Sequence, residues 1–177
     1  MSFARYWVGI VVLALAACQG DLNPSGEDRR PEVQTGIIGN QVGQIAPDFT
    51  LESTLNAFHT LSSEYSTHQG VVLYFTMWCP VCDSHMSHMR TTYVPQYPNV
   101  QFFIVDYVNA TVTNARTAQL SNGYGDMTVL ADINQSVLNL YDGTMGTTVV
   151  VDHLGVVQMN QDYSDGSKLG QVLGSLP

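Results

Sequence analysis

Val71-Val72-Leu73-Tyr74-Phe75-Thr76-Met77-Trp78-Cys79-Pro80-Val81-Cys82, residues 71–82, sets an unbroken apolar run against two cysteines separated by two residues. A half-exposed strand alternates polar and apolar side chains, so the continuous run Val71–Phe75 predicts a strand covered on both faces. A helix is predicted from Val81 to about Tyr93, stopped by Pro95 and Pro98. Cys79 therefore stands where strand gives way to helix. A thiol there faces unpaired N–H groups and the positive end of the helix dipole, which favour thiolate over thiol. Cys79 is the candidate nucleophile. Cys82, one turn further on, can close a disulfide with it or resolve a mixed one. Pro80 suits the first helical turn, where a missing N–H costs nothing. Trp78, Pro80 and Val81 form the expected surround of the pair. Half of a zinc site and a purely structural disulfide remain open alternatives.

Outward from this segment, Gln101–Val108 reads as a second buried strand, Thr113–Leu120 as a helix and Met127–Ala131 as a strand. Ser136–Tyr141 reads as a short helix. Thr147–Val151 and Val156–Met159 read as strands joined by the turn Asp152-His153-Leu154-Gly155, and Ser167–Leu173 as a closing helix. Strands alternating with helices before a hairpin predict an α/β fold, a central mixed sheet with helices on both faces.

Composition narrows the function. Six Lys+Arg stand against fifteen Asp+Glu, a net charge of −9, which argues against a nucleic-acid partner because phosphates need clustered cations. With 45% apolar and 10% aromatic residues, disorder throughout is excluded. Three cysteines are too few for a disulfide-stapled mini-protein and wrongly spaced for a four-ligand zinc knuckle.

Residues 1–17 carry one charge, Arg5, and an apolar run from Tyr6 to Ala17 that is too short to span a bilayer. They read as a secretory signal peptide. Leu15-Ala16-Ala17-Cys18 resembles the lipobox of bacterial lipoproteins, which makes Cys18 the expected lipidation site; an ordinary signal with a stray thiol is the alternative. Gln19 after the cysteine leans toward an outer-membrane anchor, by analogy. Residues 18–40 are polar and read as the lipidated Cys and a flexible linker, in which Arg29 and Arg30 attract anionic lipid only weakly. Residues 41–177 are the expected folded domain.

Three segments carry a family resemblance. Val42-Gly43-Gln44-Ile45-Ala46-Pro47-Asp48-Phe49-Thr50-Leu51 resembles the opening of the AhpC/TSA and redoxin branch of thioredoxin-like proteins. Tyr74–Cys82 is similar to the F-W-A-x-W-C-x-x-C segment of TlpA/ResA-like proteins, and Thr147–Gly155 to their T-x-x-x-I-D-x-x-G hairpin. The resemblance covers about residues 41 to 177. It implies a thioredoxin-like fold and a thiol–disulfide oxidoreductase on the extracytoplasmic side of a membrane. It further implies protein thiols or disulfides as partners, a membrane electron donor or acceptor, and no cofactor beyond the Cys79–Cys82 pair. The leaning is toward a reductant.

The chain departs from that pattern in several places. Gly146 occupies the position of the family's cis-proline, so a trans bond and a more open site are expected. His85 stands where related helices often carry Glu, and has a pKa suited to proton transfer; a partly exposed histidine of no consequence is the equal alternative. Ser87 replaces a kink-forming proline, so a straighter helix is expected. Leu73 replaces the buried acid of thioredoxin.

Cys82, His85, Met86 and Met89 fall on one helical stripe. With Cys79 they are conceivable Cu(I) ligands, while core packing is the favoured role for Met86 and Met89. A peroxiredoxin-like thiol peroxidase is the other alternative. Thr76-Met77-Trp78-Cys79 matches its T-x-x-C segment, but Val72 stands for the expected proline and Gly146 for the expected arginine. Asp48 is expected to fix a turn, Trp78 to shield the cysteines and His153 to be exposed. His59 and His68 carry no assigned role.

Overall fold

The computed structural model describes residues 34–177. The expected signal peptide, Cys18 and linker residues 19–33 lie outside the described residues. The described chain runs β1 (Thr50–Glu52), β2 (Phe58–Thr60), α1 (Leu61–Thr67), β3 (Gly70–Thr76) and α2 (Pro80–His88). A π-helical turn (Met89–Tyr93), α3 (Val94–Gln96), β4 (Val100–Asp106), α4 (Val112–Ser121) and β5 (Thr128–Ala131) follow. The last elements are α5 (Ser136–Leu140), β6 (Thr147–Asp152), β7 (Val157–Asp162) and α6 (Ser167–Leu173).

The apolar run becomes β3, the centre of a five-stranded sheet of order β5-β4-β3-β6-β7. β3, β4 and β5 are parallel, β6 is antiparallel to β3, and β7 is antiparallel to β6. The unbroken apolar run Val71–Phe75 within β3 follows from this position, because both its faces are covered. Val72 and Tyr74 join Cys82, Met86, Met89, Ile104 and Leu169 on one side. Val71, Leu73 and Phe75 join Leu61, Val105, Val137 and Tyr141 on the other. Each such aliphatic side chain contributes about 1.5–3 kcal/mol on burial, so the two-sided strand anchors both layers. Thr76 of β3 lies level with Asp106 of β4, which brings both strand ends to one edge of the sheet. Cys79 follows β3 directly at that edge.

The five strands and the helices α4, α5 and α6 match the predicted elements within two residues at most ends; β7 runs three residues further, to Asp162. The helix that follows Cys79 differs. Instead of continuing straight to Tyr93, it passes at Met89 into a π-helical turn in which the Val94 N–H reaches the Met89 carbonyl. Thr91 Oγ1 donates to the Ser87 carbonyl at 2.9 Å, and Pro95 has no N–H for the next turn. The wider turn keeps Met89 and Tyr93 both in the core. With Ser87 in place of proline, α2 runs unbroken to His88 before it widens into this turn.

The β1–β2 hairpin and α1 have no counterpart in the predicted elements. Asp48 ties them down, as its opening-motif position suggested: Oδ1 accepts from the N–H groups of Phe49 and Ser62, and Oδ2 from the Ser62 hydroxyl at 2.6 Å. The expected linker also ends earlier than Asn40. Ile45 N–H donates to the Ile37 carbonyl, and Asn160 Nδ2 donates to the Asn40 carbonyl, so residues 37–40 are held against the domain. Among the described residues no helix is long and apolar enough to cross a membrane.

Candidate redox site

Cys79 is the N-cap of α2, in extended conformation, and Pro80 occupies the first turn. Its Sγ accepts the Cys82 N–H at 3.1 Å, the bond that a capping side chain makes to an unpaired helix donor. Cys79 and Cys82 are paired as a disulfide with Cα atoms 5.0 Å apart. The two sulfurs differ in access: Cys79 is half-buried, whereas Cys82 is 0% exposed. Pro80, Val81 and Met77 around Cys79 are exposed. Cys79 is thus the more accessible residue of the pair.

Trp78 adopts φ +60°, a left-handed conformation rare for a bulky residue. Its N–H donates to Thr76 Oγ1 at 3.0 Å and its indole Nε1–H to Asp106 Oδ2 at 2.8 Å. Its ring lies 6.3 Å from that of Tyr124, whose hydroxyl donates to the Asp83 carboxylate on α2 at 2.7 Å. Asp106 is fully buried, and its carboxylate is satisfied by Trp78 together with Val108 N, Asn109 N and Asn109 Nδ2.

His85 is half-buried on the same helix. Its Nδ1 lies 3.1 Å from the hydroxyl of Tyr74, and its ring stacks on Tyr163 with centroids 4.7 Å apart. Burial pulls the imidazole below its ordinary pKa; Asp162 opposes this, His88 adds to it, and the Ser164 carbonyl opposes it. Burial likewise holds the phenols of Tyr74 and Tyr163 well above their ordinary range.

Gly146 has φ +86° and donates its N–H to the Phe75 carbonyl at 3.0 Å. Proline can supply neither feature. The peptide bonds among the described residues are trans. Asp162 and His85 lie against the glycine: a Cβ at Gly146 would stand 2.7 Å from Asp162 Oδ1 and 3.7 Å from His85 Nδ1.

Met86 and Met89, each 1% exposed, pack in the core under the sheet, so the thioethers of the stripe face apolar neighbours. No group of three His, Cys, Asp or Glu side chains among the described residues is arranged to hold a metal. Leu73 is fully buried, His153 is exposed, His59 pairs with Glu64 at 2.8 Å, and His68 Nδ1 lies 2.8 Å from the Glu64 carbonyl. Tyr74, Asp106, Asp162 and Tyr163 were not singled out from the sequence. The available signals were a phenol inside an aliphatic strand and a carboxylate closing an apolar one.

The AhpC/TSA family model matches residues 42–160. No curated protein matches the chain. Among solved structures, a proposed protein disulfide isomerase from Bacteroides thetaiotaomicron superposes with TM-score 0.65 at 20% identity, over 76% of this chain and 86% of that one. A proposed thiol:disulfide interchange protein DsbE from Chlorobium tepidum gives 0.61 at 24% identity, over 77% and 97%. Peroxidoxin BcpB from Mycobacterium tuberculosis gives 0.58 at 19%, over 76% and 95%. These likenesses establish an α/β, thioredoxin-like fold.

Proposed function

The chain belongs to the AhpC/TSA family, and within it we propose a thiol–disulfide oxidoreductase that works through Cys79 and Cys82. The observation that carries this is the inequality of the pair. A half-buried sulfur caps a helix, and its disulfide partner, one turn on, is sealed in the core. A partner thiolate attacks Cys79 Sγ, the Cys79–Cys82 bond breaks, and Cys82 leaves with the electron pair. In the reverse direction Cys82 attacks the mixed disulfide on Cys79 and releases the partner thiolate. His85, three residues after Cys82, exchanges the proton that this change of state requires.

The substrates are protein thiols or disulfides. The solved structures named above as a disulfide isomerase and an interchange protein support that class. With Cys18 lipidated, the domain works on the extracytoplasmic face of a membrane, the outer membrane by preference, and exchanges electrons with a membrane donor. The test is equilibration of the soluble domain with glutathione buffers. A reversible two-electron couple below about −230 mV identifies a reductase, and one near about −120 mV an oxidase of folding proteins. Absence of a reversible couple rejects disulfide exchange.

Thiol peroxidase is the second reading, favoured by the family and by the T-x-x-C segment. Against it, the Thr76 hydroxyl is buried and accepts the Trp78 N–H. Arg90 is engaged with Gly123 and Asp126, and Arg116 with Gln119. Developing charge on a peroxide needs donors at the sulfur. Cys79-dependent consumption of hydroperoxide tests this reading, and absence of turnover removes it.

A further inference from the structure

Three aliphatic side chains on one loop before β1 stand in water: Ile37, Ile38 and Val42 are 46%, 75% and 54% exposed. A single exposed aliphatic is ordinary, but three so close together call for a partner. The loop is pinned, so these side chains are held out rather than folded away. Ile45 pairs with Val156 beside β7, and Ile38 pairs with Ile45, which leaves Ile38 outermost. The Gly39 N–H donates to the Ile45 carbonyl and the Ile45 N–H to the Ile37 carbonyl, each at 2.9 Å. The Gly43 N–H donates to the Val157 carbonyl, and the Val157 N–H to the Gln44 carbonyl. Gln44 turns inward and is buried; its Oε1 accepts the Gln41 N–H at 3.0 Å, and a Cβ at Gly39 would collide with its amide. The polar side chain is enclosed and the aliphatic ones are presented.

We propose that Ile37, Ile38 and Val42 form a lipid-contacting face, which lays the β7 edge of the domain on the bilayer that holds the Cys18 anchor. The proposal rests on the lipid-anchored reading given above. Two observations select lipid as the occupant. The first is charge. The chain carries fifteen Asp+Glu against six Lys+Arg, yet no residue from Gln34 to Pro47 is charged. An anionic bilayer repels an acidic domain, so the uncharged segment is the part that approaches it at least cost. Asp142 lies at the rim of the segment, where its carboxylate accepts from Asn40 Nδ2 at 2.7 Å. The second observation is reach. Residues 19–33 separate Cys18 from the loop and span at most about 55 Å when fully extended. The loop is therefore the first part of the described chain that the anchor brings to the bilayer. Three aliphatic side chains partition into lipid only weakly by themselves. The anchor makes the contact intramolecular, so weak partition suffices.

The experiment uses the full chain expressed in a bacterium and reconstituted in vesicles of phosphatidylethanolamine and phosphatidylglycerol. Ile38→Trp and Val42→Trp place a fluorescent probe on the loop. Leu120→Trp places it on α4, beside β5 at the far edge of the sheet, where Leu120 is also exposed. Emission is read above that of the unsubstituted chain, in lipids brominated near the headgroup end of their acyl chains. At 38 and 42 it is expected to fall by about half, as for side chains about 5–10 Å deep. At 120 it is expected to stay unquenched. No quenching at 38 and 42, or equal quenching at all three positions, overturns the proposal. A change of emission at 38 that follows protein density and not bromine marks a contact between copies of the chain, and overturns it as well. Mass spectrometry of the amino-terminal peptide separates the two readings. Lipid on Cys18 with an unquenched loop rejects this inference alone; Cys18 without lipid rejects the anchor, and the inference with it.

Discussion

The indole N–H of Trp78 donates to Asp106 Oδ2 at 2.8 Å, joining the residue before Cys79 to the end of the neighbouring strand. The two magnitudes involved explain why the bond matters. A left-handed conformation costs an L-residue about 1–2 kcal/mol. A hydrogen bond to a charged group contributes about 1.5–3 kcal/mol. The bond is therefore large enough to offset the strain at φ +60° that turns the chain from β3 into α2.

Trp78→Phe removes this donor together with part of the indole's packing beside Tyr124. Urea unfolding is expected to show a loss of about 1.5–3 kcal/mol. Asp106→Ala is expected to cost more, because it also removes the acceptor of the Val108 N–H, the Asn109 N–H and the Asn109 side-chain amide. Equal stability of Trp78→Phe and wild type would show that the backbone turn is held without the bond.

How much of this was legible in the sequence depends on the range of each interaction. β3 and the helix start at Cys79 are local: an apolar run, a turn and Pro80 suffice to place them. The hairpin β1–β2 is too short for a period to show, and α1 (LSSEYST) has a single buried residue, Leu61. The partners of Trp78 and His85 lie on other strands. Asp106 is 28 residues from Trp78, and Tyr74 is 11 from His85. No spacing rule links such pairs until the sheet order is known. Gly146 was legible as a missing proline, but what takes the proline's place was not, because Asp162 arrives from β7.

Gly146 yields a graded pair of predictions. Gly146→Ala must adopt φ +86° with a Cβ against Asp162, and is expected to lose about 1–2 kcal/mol. Gly146→Pro also loses the donor to Phe75 and cannot reach that φ, so a loss of about 3 kcal/mol or more is expected. Thermal and urea unfolding of both variants check the order. Restoring the family's proline is thus expected to damage this chain, and a Gly146→Pro variant as stable as wild type would contradict the arrangement.

Stability should depend on pH through His85. Burial lowers its pKa in the folded state below the ordinary value near 6.5. Between those two values the unfolded chain binds more protons, so stability rises with pH there. The contribution is fully present above about pH 6.5 and is lost as pH falls toward the folded-state pKa. Urea midpoints measured across this window are expected to fall on the acid side, and His85→Asn is expected to flatten that part of the curve. A wild-type curve that is flat below pH 6.5 would contradict the burial of the ring.

The order of the two sulfurs gives the sharpest outcome. Cys79 is half-buried and Cys82 fully buried, so a partner is expected to form its mixed disulfide with Cys79. Cys82→Ser is expected to retain that first step and accumulate a stable covalent adduct with a disulfide-bearing peptide, because the resolving thiol is gone. Cys79→Ser is expected to form no adduct within the same time, since the remaining thiol is enclosed by Tyr74, Met86 and their neighbours. Mass spectrometry of both variants after exposure to the same peptide reads the result. An adduct on Cys79→Ser at a comparable rate would mean that α2 opens to expose Cys82, and would reverse the assigned roles.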